Sequence, residues 1–414
     1  MYVLKNTVQP YAWGSADGIP SIVGIENPDR IAMAELWMGA HPVAPSLITS
    51  PAELRDLGRA IAANPAYTLG EYCLSRFGPR LPFLFKVLSA AKALSIQAHP
   101  SRRQAIDGFA REEASGPSIG APDRNYRDDN HKPEIIRAVT RFEALRGFKP
   151  VCEIRADWRT VHDACADDPS VAAVIDRIRE PLDAPFEADA ARHFFEAIFA
   201  TGENDRARLI ALVERIARGR VEPHWSVVAR LADEFPGDIG VLAPLFLNYV
   251  VLEPGDALYL PAGVLHAYLA GTGIELMANS DNVLRCGCTP KHIDVAELLS
   301  VVVFDPGPPD VLSAEGDGTA ERSYDTPADE FALSSIDLDD GTYRPGREGT
   351  PEIILALDGP LVIRYLDRPG HDSTVRGVAE VRMDRGDSVF VPAGAPDYTI
   401  SGSGSAFRAR TPRR

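Results

Sequence analysis

Short apolar runs broken by proline and glycine fill residues 1–50 and predict β-strands and turns, while 51–80 read as helical and peripheral. Leu81–Leu88 is a strand-like run, and Ala93–Pro100 follows it with a strict alternation. Ser95, Gln97 and His99 share one face there, and Leu94, Ile96 and Ala98 take the other. Such a segment packs on one side and lines a polar cavity on the other. Residues 101–125 are basic and then loop-like, with Pro117 and Pro122 as breakers. From 151 to 230 the period changes. Val171–Ile178 and Arg208–Ala217 carry apolar residues at helical spacing with charges between them. At ordinary helix lengths this is an insert of about three to five helices. Beyond Leu299 the chain is loop-like through 305–320. It then returns to β-type runs, including Glu352–Gly359 and Gly386–Gly394, and closes on a last strand and a basic tail.

The densest polar chemistry lies in Leu252–Lys291. Gly255-Asp256 predicts a tight turn, Ala257–Leu260 a short strand, and Pro261-Ala262-Gly263 a second turn. A strand over Val264–Leu269 then places Val264, His266 and Tyr268 on one face. Gly271-Thr272-Gly273 is expected to close a hairpin, with Glu275 and Met277 on the returning strand facing His266. Asp281, Asn282, Arg285 and Lys291 crowd the loop beyond. One histidine on a strand is more often structural than a ligand, and Asp281-Asn282 alone reads as a turn. An imidazole, a phenol, a carboxylate and two cations at one sheet end are nevertheless costly to bury unpaired, which marks a site.

A further polar group enters a strand at Tyr126–Ile136. Pro133 forces Lys132 to be extended, so Glu134 begins a strand, with His131 and Lys132 just before it. Gly255–Gly263 also aligns without a gap with Gly386–Gly394. His266 then falls opposite Asp397 and Tyr268 opposite Thr399, which implies two related β-barrels of which only the first keeps its histidine. The expected organisation is mainly β. A discontinuous barrel takes 1–150 and 231–300, a helical insert 151–230, and a second barrel without a metal site 301–414.

Composition narrows the function classes. The 414 residues are 45% hydrophobic and 25% charged, as in soluble globular proteins. No run reaches the roughly 18 apolar residues of a membrane helix. MYVLKNTVQPYAWG has no basic and apolar leader pattern, and five thinly spread cysteines point to a reducing cytoplasm. Cys286 and Cys288 lack a second pair to complete a thiolate metal site. A net charge of -16 argues against nucleic acid, and an anionic small substrate would need local Arg and Lys to attract it.

Taken together, Gln9–Gly14, Glu35–Pro42, Leu81–Lys86, Leu94–Pro100, Asn130–Glu134 and Leu252–Lys291 resemble the type I mannose-6-phosphate isomerases, a metal-dependent branch of the cupin superfamily. LSIQAHP, NHKPE and SDNVLRCGCTPK are far more specific in combination than singly. Departures are Ser101, Arg102 and Arg103, where the family commonly has an Asp and a Lys, and the two cysteines at 286 and 288. The resemblance implies two cupin-type jelly-roll barrels and one zinc ion per chain held by Gln97, His99, Glu134 and His266. Two imidazoles, a carboxylate and an amide oxygen also suit a catalytic zinc that keeps room for water or substrate. Manganese, iron, cobalt and nickel accept such a set too.

The implied reaction interconverts mannose 6-phosphate and fructose 6-phosphate through an enediol. Arg285 resembles the family's catalytic arginine, and Tyr268 is expected to orient a hydroxyl. The proton-transfer base is open among Glu275, Lys132 and Asp281, and the phosphate seat among Lys291, Ser95 and Lys132. Trp13 and Trp37 read as packing anchors. Two rivals stand beside this reading: an inactive metal-bearing sugar-phosphate sensor, and an isomerase for another aldose or aldose phosphate. A monomer or weak homodimer is expected, with a small sugar phosphate as partner and neither nucleic acid nor membrane.

Overall fold

Two antiparallel sheets face each other across one apolar layer. The computed structural model describes residues 1–50, 53–165, 168–366 and 378–414. One sheet runs in the order Val311–Leu312, Ala257–Leu260, Glu134–Ala138, His266–Ala278, Phe83–Ala90, Glu35–Met38, Thr7–Gln9. Ile96–Ala98, Phe142–Phe148, Leu247–Leu252 and Leu284–Gly287 attach to it off this path. The other runs Glu321–Tyr324, Ala332–Tyr343, Tyr398–Arg410, Glu352–Ala356, Ser388–Val391, Tyr2–Lys5, Leu47–Ser50, Glu53–Asp56, with Leu361–Tyr365 and Glu380–Met383 alongside.

The alternation of each strand decides what meets what. Phe83, Phe85, Val87, Ile135, Ile274 and Leu276 leave the first sheet on its outer face and pack against Leu4, Ile353, Leu355, Phe390 and Phe407 of the second. Their neighbours Leu88, Ile136, Ala138 and Tyr268 point the other way into a separate cluster with Phe142, Leu258 and Leu260. Burying each large apolar side chain contributes about 1.5–3 kcal/mol, which pins the register because a one-residue slip would turn every one of them outward.

The region 151–230 is helical as expected. Val151–Asp163, Pro169–Arg179, Glu187–Phe199, Glu203–Ala217 and Pro223–Glu234 are α-helices. Asp168 caps the second by accepting from the Ser170 and Val171 amides. Their apolar faces do not form an isolated core. Trp158, Phe194, Phe195 and Trp225 share one cluster with Leu145, Phe148, Ala267 and Leu269 of the first sheet.

Two expectations are corrected. The stretch 101–125 is not loop-like throughout, because Arg102–Ser115 is a helix. Its start is fixed by a capping box in which Ser101 and Gln104 satisfy each other's amides. The Gly271-Thr272-Gly273 turn does not exist either. His266–Ala278 is one continuous strand, and Glu275 lies further along the strand that carries His266 rather than opposite it. Gly271, at φ 117°, serves close approach instead: a Cβ there would sit 2.6 Å from the Arg141 carbonyl oxygen. A β-bulge falls between Tyr268 and Ala270. It switches which alternate residues face inward, so His266, Tyr268 and Glu275 all point into the interior although 268 and 275 differ in parity.

Candidate metal centre and substrate cavity

Three strands converge on one point. His99 follows Ile96–Ala98, Glu134 opens Glu134–Ala138, and His266 opens His266–Ala278. A ligand atom from each lies within 4.8 Å of the others, and all three side chains are buried. Nδ1 of His99 stands 2.7 Å from the Asn282 carbonyl oxygen, and Nδ1 of His266 stands 2.9 Å from that of Val264. A carbonyl only accepts, so both rings carry their proton on Nδ1 and turn a bare Nε2 lone pair inward. Burial, then the charge of Lys132, lowers the His99 pKa to about 4, which keeps the ring neutral.

Two of the atoms that face this point lack protein partners. His99 Nε2 and Glu134 Oε2 are buried without a hydrogen bond. Oε2 lies 3.5 Å from His99 Nε2 and 3.4 Å from His266 Nε2. Orphaned buried polar atoms of this kind call for an unseen partner, and a divalent cation fits two imidazole lone pairs and a carboxylate. Burial raises the Glu134 pKa, but Lys132 at 2.6 Å and the two histidines outweigh it and keep it well below the usual carboxylate range. Gln97 reaches the same point, with its amide 3.4 Å from His266 Nε2. Turning that amide over places its oxygen there, as a ligand needs.

A cavity of about 470 Å³ opens beside this centre, and Ser95, Gln97, Lys132, Arg285 and Lys291 all line it. Trp13 and Glu35 line it too. Three other predicted residues are placed differently. Glu275 lies behind the cavity wall, ion-paired with Lys86 at 2.8 Å. Burial raises its pKa, and Lys86 opposes that. Tyr268 is buried, its hydroxyl unpaired and its pKa driven well above the phenol value by burial, then by Glu275. Asp281 pairs with His41 at 3.3 Å, and that contact lowers its pKa.

The sequence reading missed a second layer. Lys86 also meets Glu35 at 3.5 Å, and Glu35 accepts from the Trp37 indole at 2.7 Å. Its signal was a lone lysine inside the apolar run Leu81–Leu88. Asn282 is no mere turn residue. It is fully buried, and its amide accepts from the Arg127 and Asp128 N–H groups and donates to the Asp128 and Asn130 carbonyls.

The family model of the phosphomannose isomerase type I catalytic domain matches residues 1–151. The mannose-6-phosphate isomerase of Salmonella typhimurium is 37% identical over 412 residues, which cover 99% of both chains. The chain belongs to the type I phosphomannose isomerase family. Mannose-6-phosphate isomerase 2 of Arabidopsis thaliana is 35% identical, covering 94% of this chain and 88% of its own. Among solved phosphomannose isomerases, a mutant of the Salmonella typhimurium protein gives a TM-score of 0.89 at 36% identity and full coverage of both chains. A zinc-bound holo mannose 6-phosphate isomerase gives 0.88 at 36% identity, covering 100% of this chain and 99% of that one. The β-rich, helix-bearing architecture is thus the phosphomannose isomerase fold.

Proposed function

We propose that this chain interconverts D-mannose 6-phosphate and D-fructose 6-phosphate with one zinc ion held by Gln97, His99, Glu134 and His266. The observation that carries the reading is the pair of inward-facing imidazole lone pairs and the orphaned Glu134 oxygen at the edge of a cavity lined by Lys132, Arg285 and Lys291. Zinc, when bound, supplies a Lewis acid that polarises sugar oxygens or orders a water. The chain's own residues do the rest. Lys132 lines the cavity beside Glu134 and, as the neutral amine after giving its proton to solvent, would take the proton from C2 and return it at C1. Arg285 presents a planar cation to the charge that develops on the enediol oxygens. Glu275 and Tyr268 sit behind them and orient this set together with Lys86. Asp281, held by His41 with a lowered pKa, is a weaker base and shapes the rim. Ser95 and Lys291 face the same space for substrate binding.

The finer architecture is read as two related cupin-type barrels, with the divisions 1–150 plus 231–300, 151–230 and 301–414. Sheet order supports it. Ala257–Leu260, Glu134–Ala138, His266–Ala278, Phe83–Ala90 and Glu35–Met38 run in the same sequence as Ser388–Val391, Glu352–Ala356, Tyr398–Arg410, Ala332–Tyr343 and Glu321–Tyr324. Glu134 pairs with Leu260 as Glu352 pairs with Val391, so Glu352 is the counterpart of Glu134. Arg347 and Arg408 pair with that second carboxylate. A monomer or weak homodimer in the cytoplasm completes the reading, with no nucleic-acid partner at a net charge of -16. Among the described residues no helix is long and apolar enough to cross a membrane.

The test is turnover by purified protein of mannose 6-phosphate against free mannose and other aldose phosphates. Preference for mannose 6-phosphate supports the proposal. Stoichiometric zinc with no turnover of any of them moves the reading to a sensor.

A further inference from the structure

Two cations line one side of the cavity, and Arg127 stands near enough to act on the charge of both. Arg285 and Lys291 line it, and among the described residues neither they nor Arg127 make an ion pair. Arg127 lies on a different segment, the loop between the helix Arg102–Ser115 and the strand Glu134–Ala138. Its backbone is fixed by a well-tied anchor, while its exposed guanidinium donates to the Ala121 carbonyl at 3.5 Å. The buried Asn282 accepts from the Arg127 N–H at 2.7 Å and from the Asp128 N–H at 3.3 Å. The same amide donates to the Asp128 and Asn130 carbonyls at 2.8 and 2.9 Å. Asn282 stands just before the strand Leu284–Gly287 that bears Arg285, so the loop and that strand are fastened at one point. The charges feel each other. Burial lowers the Arg285 pKa and Arg127 lowers it further, while burial, Arg285 and Arg127 in that order lower that of Lys291.

Like charges held together on a chain of net charge -16 are unfavourable unless an anion joins them. We propose that Arg127 is a further phosphate-binding residue, which closes with Lys291 on the phosphate monoester of the substrate and leaves Arg285 to the enediol oxygens. The assignment rests on the isomerase reading for the identity of the ester, but the anion seat itself does not. Arg127 is exposed, so it meets the phosphate from the solvent side and adds attraction as well as a contact. A guanidinium suits the task because it presents two parallel N–H groups to phosphate oxygens. Nothing in the sequence pattern marks it, since Arg127 reads there as one charge in a charged turn.

The test uses the full chain loaded with zinc, and R127A and R127K variants. Orthophosphate binding is measured by calorimetry, and KM and kcat for mannose 6-phosphate in parallel, with zinc content checked in each protein. R127A is expected to weaken orthophosphate about tenfold, and to raise KM for mannose 6-phosphate by more than it lowers kcat. R127K, which keeps the charge, is expected to recover most of the orthophosphate affinity. Orthophosphate affinity in R127A within twofold of the parent overturns the proposal, as does a loss in R127K equal to that in R127A. If the parent protein binds orthophosphate in this way yet isomerises no sugar phosphate, the isomerase reading fails and the anion seat stands. If the parent isomerises and R127A matches it in both readouts, only Arg127 is removed from the site.

Discussion

His99 donates from Nδ1 to the backbone carbonyl of Asn282 at 2.7 Å, and the side chain of that same Asn282 ties down residues 127–130. One buried residue therefore orients His99 of the candidate metal centre and anchors the loop that leads to Lys132 and Glu134. Asn282→Ala keeps the carbonyl but removes the amide contacts that fix its position. Loss of such a supporting partner weakens metal binding about 10–100-fold. Competition with a chromophoric chelator measures it, and zinc affinity equal to the parent's would show that the carbonyl is positioned without the side chain.

Lys86 is the counter-charge shared by two buried carboxyl groups, Glu35 and Glu275. Lys86→Met leaves both without a counter-charge, and is expected to destabilise the protein by about 3–5 kcal/mol. Adding Glu275→Gln removes one of the stranded charges and restores part of that loss. Urea denaturation of the parent, both single variants and the double variant gives the coupling.

The counterpart network of the second sheet is expected to govern acid stability. Glu352 is fully buried, and accepts from Arg408 at 2.8 Å, Arg347 at 2.9 Å and Tyr398 at 2.6 Å. Burial raises its pKa, but the two guanidiniums win and hold it below the usual carboxyl value of 4.5. Because the folded pKa is the lower one, the stabilisation is present above pH 4.5 and is lost as pH falls from there through the folded pKa. Glu352→Gln is expected to cost roughly 3–5 kcal/mol at pH 7 and less near pH 3, because the parent has given up part of this contribution once the pH is below 4.5. Chemical denaturation at the two pH values checks this, and an equal cost at both would contradict it.

Gly271 holds φ 117° beside the Arg141 carbonyl. Gly271→Ala strains the backbone and pushes that segment away, at an expected cost of about 1–3 kcal/mol. The bulge next to it sets which way Tyr268 and Glu275 face. A crystal structure of the variant shows whether that parity survives.

Much of this was legible in the sequence. The alternation over Leu94–His99 placed Ser95, Gln97 and His99 on one face, and the helical spacing over 151–230 marked the insert. Pro133 put Glu134 at the start of a strand. What escaped has physical reasons. Gly271-Thr272-Gly273 has the composition of a turn, but its glycines answer a crowding that only the tertiary fold creates. Lys86 and Glu275 looked unconnected because the register that sets them opposite each other joins strands far apart in sequence. The helix Arg102–Ser115 was obscured by its charges, which outweighed the capping signal at Ser101 and Gln104.

The most direct test of the central claim follows mannose 6-phosphate isomerisation and bound zinc together. The two are compared before chelation, after it, and after zinc is added back, with His266→Ala as a parallel sample. The account predicts about one zinc per chain in the parent, activity that disappears with the metal and returns with it, and neither metal nor activity in His266→Ala. Activity that survives complete removal of the metal, or a His266→Ala protein that still holds zinc and turns over substrate, would contradict it.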